Sequence, residues 1–262
     1  MICVFDCETI PDVELLSRVY GYQGDFLSVC EQAFADAKEQ SGSEFLPHCF
    51  HKVITIAALI AQPNGMMLRL GCFEAGKSER EIIAAFLSYL QKQPRLVSFN
   101  GRGFDMPMLL LRAMRYNLQA EAYFETKNPA MGKDKWENYR QRFSERFHLD
   151  LFDSLGHFGA ATRGLKLHNI ASACQLPGKF DVQGDEVYRL YADGKMGAID
   201  SYCESDVLNT YWLFLKWQLL CGQFEPAHYR ACLENLQQKI PEQKPYTAAF
   251  MDAIQAELAR SE

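Results

Sequence analysis

No stretch of this 262-residue sequence approaches the ~20 consecutive apolar residues that a membrane-spanning helix needs. That excludes a helical membrane protein. The short apolar run at the N-terminus lacks a basic flank, so no signal peptide is expected either. Cysteines number nine, an odd count, and no two are spaced C-x-x-C. Most sit in apolar runs, which predicts buried free thiols in a reducing compartment rather than a disulfide framework. A basic excess is also missing: 27 Lys and Arg stand against 33 Asp and Glu, a net charge of −6. This excludes a protein that coats nucleic acid through a broad basic surface. It leaves room for an enzyme that holds one strand end through metals and a local groove. Repeats, low-complexity tracts and linkers are absent as well. The expectation is a cytoplasmic, soluble protein with no membrane partner.

What is present suits one large domain. Hydrophobic residues make up 48% and aromatics 13% of the chain, enough for a sizeable core. Residues 2–6 read as a buried strand that exits at Pro11, and residues 26–39 as a helix. Residues 52–61 and 66–73 form a hairpin around a Pro-Asn-Gly turn. Ser78 caps a helix to about residue 91, with Glu81 at the capping-box position. Residues 95–99 are another buried strand, 106–116 a helix and 148–151 a short strand. Residues 117–146 are polar and irregular, an insertion or a mobile segment. Helices follow at 165–174, 186–191, 199–221 and 246–260. This order predicts an α/β domain with a mixed sheet flanked by helices over residues 1–221. A helical extension at 222–262 is expected to pack on the same domain, with no chemical signature of its own; it would cover the domain or bind a protein partner.

Three short stretches carry chemistry. MICVFDCET ends an apolar strand on Asp6 and Glu8. Residues i and i+2 of a strand point the same way, so two carboxylates would lie side by side. They repel by roughly 4 kcal/mol at ~4 Å and an effective dielectric of ~20, which a cation or a shared proton would relieve. An exposed loop start, where the pair costs nothing, is equally consistent with D-x-E alone. LVSFNGRGFDMPML runs from a strand through Asn100 and a glycine-flanked turn to Phe104 and Asp105. Asp105 suits a helix N-cap with Pro107 in the first turn, which accounts for Asp105 but not for Asn100. YCESDVLNTYWLF puts Tyr202 and Asp206 four apart on one helix face, with Asn209 near it. Alone, that is an amphipathic helix with a wet face.

Other candidates have bland readings beside the chemical ones. Asp150, near a strand end, would support the metal-binding acids from behind or, the role expected first, cap or orient the next helix. Lys166, at a helix start, would touch a phosphate or simply be solvated. His48-Cys49-Phe50-His51 invites zinc but lacks a second ligand pair. Lys133, Lys135, Arg140, Arg142 and Arg146, interleaved with Trp136, Tyr139 and Phe143, suit a single strand. Glu137 and Glu145 dilute that charge, and a solvated segment fits at least as well.

In order, the three stretches resemble the DEDDy group of 3′–5′ exonucleases, which have a ribonuclease H-like fold. The likeness extends over residues 1 to about 220, and is nearest to a bacterial stand-alone family related to the exonuclease domain of family-B DNA polymerases. The resemblance implies that Asp6, Glu8, Asp105 and Asp206 bind two divalent ions, Mg²⁺ or Mn²⁺, and that Tyr202 lies beside the attacking water. Asp6 would bridge both ions, Glu8 and Asp206 would complete one shell, and Asp105 would hold the other ion. Thr9, Asn100 and Phe104 match positions near the substrate strand. His157 is too distant in sequence from Asp206 to serve in place of Tyr202. The implied activity is removal of nucleotides from the 3′ end of single-stranded nucleic acid, DNA before RNA, with an inactive binding or scaffold protein on the same fold as the alternative.

Overall fold

The computed structural model describes residues 1–178 and 184–260. The first strand, β1 (Ile2–Pro11), is apolar on both faces through Phe5 and sits in the middle of a five-stranded sheet. Strands buried on both faces read as continuous apolar runs for this reason. β2 (His51–Ala61) and β3 (Met67–Cys72) form the expected hairpin, with β2 antiparallel to β1. β4 (Arg95–Ser98) pairs parallel with the other side of β1, and β5 (His148–Asp150) parallel with β4. The order β3-β2-β1-β4-β5 makes a mixed sheet flanked by helices, as expected. Strand alternation divides its core into two layers.

On one face, Cys3, Phe5, Ile56, Ala58 and Leu96 pack against α3 (Glu79–Leu90) and α4 (Asp105–Arg115). On the other, Ile2, Val4, Ala57, Leu59 and Val97 pack against α9 (Met196–Leu220). The Ser78–Glu81 capping box is present at the start of α3. Before α3 lie α1 (Val13–Tyr20) and α2 (Phe26–Ser41). α1 falls outside the expected elements: Asp12 caps it through the Leu15 amide, and Gly21 ends it in the left-handed region at φ 75°.

Residues 117–146 are largely irregular, as the pattern suggests, but anchored to the core. They hold a four-residue helix, α5 (Glu121–Phe124), and a bridge between Asn128 and Lys133. Tyr123, Tyr139 and Phe147 bury their rings in the α3/α4 layer and anchor the segment. α6 (Leu151–Leu155), α7 (Leu167–Ala173) and α8 (Val187–Ala192) lead to α9. α10 (Pro226–Lys239) and α11 (Thr247–Arg260) place Leu233, Leu236, Phe250 and Ile254 in the same core cluster as the α9 face of the sheet. Cys3, Cys7, Cys30, Cys203 and Cys232 are buried free thiols, while Cys49 and Cys221 are exposed. Among the described residues, no helix is long and apolar enough to cross a membrane.

Candidate active site

β1 continues through Glu8, so Asp6 and Glu8 share the face that carries Ile2 and Val4 and look toward α9. Opposite them on β2 stand the small residues Ala57 and Thr55, and the ladder slips by one residue between Glu8 and Thr9. Such bulges re-aim side chains, and here pairing resumes from Thr9 to Pro11. Asp6, Glu8 and Cys203 offer ligand atoms that all lie within 4.8 Å of one another. Burial pushes the Asp6 carboxyl well above its usual range; the negative charges of Asp105, Glu8 and Asp206, in that order, push it further.

The second piece follows β4. Asn100 adopts the left-handed conformation at φ 68°, and the turn is held by Asp150. One Asp150 oxygen accepts the Asn100 amide at 2.8 Å and the other accepts the Arg102 amide at 2.8 Å. Asp150 also caps α6 through the Phe152 amide, as expected. The Arg102 guanidinium donates to the Tyr139 and His148 carbonyls, tying the turn to residues 139–148. Gly101 is required because a Cβ there would meet the Ser98 hydroxyl at 2.5 Å.

Asp105 is not the helix cap. Phe104 occupies that position without a side-chain bond, and Asp105 is the first helical residue. Its carboxylate is 3% exposed, and Oδ1 is buried with no hydrogen-bond partner. Burial raises it to about 7, against hydrogen bonds from Cys7 that pull it down. A capping aspartate would have spent its oxygens on backbone amides. This one keeps a lone pair unused beside Asp6, where an orphaned buried acceptor costs stability unless something binds it.

The third piece lies on α9. Tyr202 and Asp206 are one turn apart and hydrogen-bonded. Burial raises the Tyr202 hydroxyl far above its ordinary range, and the charges of Asp206, Glu8 and Asp6 add to it. Tyr202 is therefore a neutral phenol at working pH. Cys203 points the same way and donates its thiol to the Asp6 carbonyl at 3.4 Å. Asn209 faces elsewhere, gripping the Gly178 backbone through both its amide groups.

The substrate-side candidates divide. Thr9 Oγ1 is bonded to His51 Nδ1 at 2.9 Å, and His51 Nε2 to the Leu46 carbonyl. His48 Nε2 is bonded to the Gly103 carbonyl. Both histidines of the suspected zinc motif are thus engaged, and neither joins a metal-ligand group among the described residues. Phe104 is half-buried, with its ring against Phe45, His48 and His51. Lys166 is exposed just before α7 and makes no ion pair or side-chain hydrogen bond among the described residues. Cys203 was not expected as part of the site, and neither was the clamp by which Asp150 holds the Asn100 and Arg102 amides. Cys203 had a legible signal, lying three residues before Asp206 on one helix face; for Asp150 the signal was its place at a strand end, while its partners, backbone amides about fifty residues away, were not legible.

A family model described as "Predicted 3'-5' exonuclease related to the exonuclease domain of PolB" matches residues 43–254. The matched span holds Asn100, Phe104, Asp105, Tyr202 and Asp206, while Asp6, Glu8 and Thr9 precede it. The DNA polymerase of Archaeoglobus fulgidus is 23% identical over 157 residues, which are 58% of this chain and 18% of the polymerase. The family B DNA polymerase from the hyperthermophilic archaeon Pyrobaculum calidifontis aligns in structure with a TM-score of 0.48 and 18% identity, over 98% of this chain and 29% of that one. This chain therefore spans less than a third of either relative.

Proposed function

The chain belongs to the predicted 3′–5′ exonucleases related to the exonuclease domain of PolB, and we propose on that premise that it is an active, metal-dependent 3′–5′ exonuclease on single-stranded DNA. One observation carries the reading: acids from β1, α4 and α9 act on the same carboxyl, Asp6, which feels Asp105, Glu8 and Asp206 together. Such repulsion is costly in a site that binds nothing. An all-oxygen set of carboxylates, including one orphaned oxygen on Asp105, suits the hard ions Mg²⁺ and Mn²⁺.

Asp6, Glu8, Asp105 and Asp206 would hold the ions. Bound there, divalent ions polarise a phosphate and make water more acidic near neutral pH. The remaining work falls to the chain itself. Tyr202, kept neutral by its acidic neighbours, orients the attacking water by hydrogen bonding and does not remove its proton. The turn at residues 100–104, braced by Asp150, keeps Asp105 in place. The four-carboxylate set and the role of Tyr202 define the DEDDy mechanism for this chain.

The test is a digest of a 3′-labelled single-stranded oligonucleotide with Mg²⁺ or Mn²⁺, with and without EDTA, beside Asp206→Ala. Stepwise shortening that EDTA stops, and that falls roughly a hundredfold or more in the variant, is the expected result; that loss equals several kcal/mol of transition-state stabilisation. Binding without cleavage by the intact protein would instead identify a nucleic-acid-binding scaffold. Full cleavage by folded Asp206→Ala would remove α9 from the chemistry.

A further inference from the structure

Residues 117–146 carry six cations and five acids, a balance that hides the fold's sorting of them. Glu125, Glu137 and Glu145 are half-buried and bonded inward, to Lys133, Ser144 and Ser154 respectively. Lys133 alone among the six cations is buried. What faces solvent is five positive charges, one of which, Arg142, is paired with Asp153 at 2.6 Å, and only two negative ones, Glu121 and Asp134. The surface is basic although the segment is nearly neutral and the chain is acidic.

The same segment exposes rings. Trp136 is 68% exposed, Phe143 72% and Phe124 48%. Exposed aromatics in such density mark an interaction site. Lys135 lies over the Trp136 ring at 4.9 Å and Arg140 over Phe124 at 5.0 Å. Phe143 lies against Phe158 with centroids 4.8 Å apart. The rings stand on a fixed support. Tyr139, between them in sequence, is fully buried with its hydroxyl on the Pro94 carbonyl. Arg102, three residues before Asp105, binds the Tyr139 and Ser144 carbonyls. The aromatic face and the turn that carries Asp105 are therefore one mechanical unit.

Flat exposed rings with cations between them match one polymer, a nucleic acid strand whose bases are unpaired. A duplex hides its base faces in the stack. We propose that residues 124–146 form a docking platform for single-stranded DNA, which holds the strand upstream of its 3′ end with bases stacked on Trp136 and Phe143 and phosphates at Lys135, Arg140 and Arg146. The choice of DNA and the strand direction rest on the nuclease reading; the platform itself does not.

The experiment measures binding in EDTA, so that cleavage plays no part. Trp136 is the reporter, since Trp212 is buried and Trp217 half-buried. Addition of an oligothymidylate of about 30 nucleotides is expected to quench tryptophan fluorescence in the intact protein. Trp136→Ala with Phe143→Ala should weaken binding of that strand by ~10-fold or more, while cleavage of an oligonucleotide of about 4 nucleotides stays within twofold. Lys135→Glu with Arg140→Glu should lower the salt dependence by roughly one to two phosphate contacts. Unchanged affinity in the aromatic double variant, absence of quenching, or a loss seen only with the matching RNA strand would overturn the platform. An intact protein that binds and quenches but never cleaves would sink the nuclease reading and leave the platform standing.

Discussion

Asp6 and Asp105 are carboxyls whose charge the metal-free fold resists. Asp105 is raised to about 7, chiefly by burial, from an unfolded value near ~3.9. The folded state therefore holds its proton over a range where the unfolded chain has released it. By linkage, stability of the metal-free protein should fall as pH rises from about 4 to about 7, and level off above that. Asp105→Asn should flatten this slope, read as melting temperature against pH in EDTA. An unaltered slope in the variant would mean that Asp105 is ionised at no cost. Mg²⁺ or Mn²⁺ should raise the melting point of the intact protein at neutral pH, because an ion that binds only the folded state stabilises it by mass action. Tyr202→Phe removes a hydroxyl without removing a charge. It should lower kcat by tenfold or more, in line with the ~10²–10⁴ range for positioned proton-handling groups, and leave strand affinity within a factor of two. Equal losses in both would mean that Tyr202 contacts the strand instead of the water.

The helix that carries Asp105 is held from its other end. Arg112 on α4 places two nitrogens on the Glu79 carboxylate at 2.6 Å each and a third on Asp12 at 2.6 Å. Glu79 also accepts the Val53 amide and the Tyr116 hydroxyl. All three charged residues are nearly inaccessible to solvent. Arg112→Met would leave the buried Glu79 carboxylate without a counter-charge and Asp12 with only Arg115 at 3.4 Å, and should cost about 3–5 kcal/mol by urea denaturation. Arg112→Lys should rescue little, because an ammonium cannot reproduce the forked contact. Burial alone would raise Asp12, but the hydrogen bonds from Arg112 outweigh it and leave Asp12 below its usual value. Its contribution to stability is thus present above about pH 4 and lost as pH falls through the depressed folded value. Secondary structure of this kind was partly legible. The Ser78–Glu81 capping box and the Pro-Asn-Gly turn announce themselves through local chemistry. α1 did not, since its cap at Asp12 is also a partner of Arg112, one hundred residues away.

For the molecule as a whole, α10 and α11 cover the α9 side of the sheet. Glu204, two residues before Asp206, accepts hydrogen bonds from Tyr246 and Lys244 at 2.8 Å each, and Lys216 pairs with Glu257. Fully buried Trp212 packs its ring toward Phe250. A chain ending at residue 221 should expose this apolar layer, bind a hydrophobic dye, and fail to show a cooperative melt. A cooperative melt in that truncation would make α10 and α11 an independent attachment. Among the described residues of these two helices, no large hydrophobic side chain is exposed, so the protein partner expected through them gains no support.

The amino-acid sequence determined the sheet, the main helices and the chemical kind of the site. Burial on two faces demands continuous apolar strands, and carboxylates ending such strands stand out against them. Whether those acids meet was decided only in three dimensions, because convergence depends on how β1, α4 and α9 pack and not on any local propensity. The same holds for the basic aromatic surface of residues 117–146. A linear charge count weighs every side chain equally, whereas folding turned three of the five acids inward and left five of the six cations and the rings of Phe124, Trp136 and Phe143 in the water.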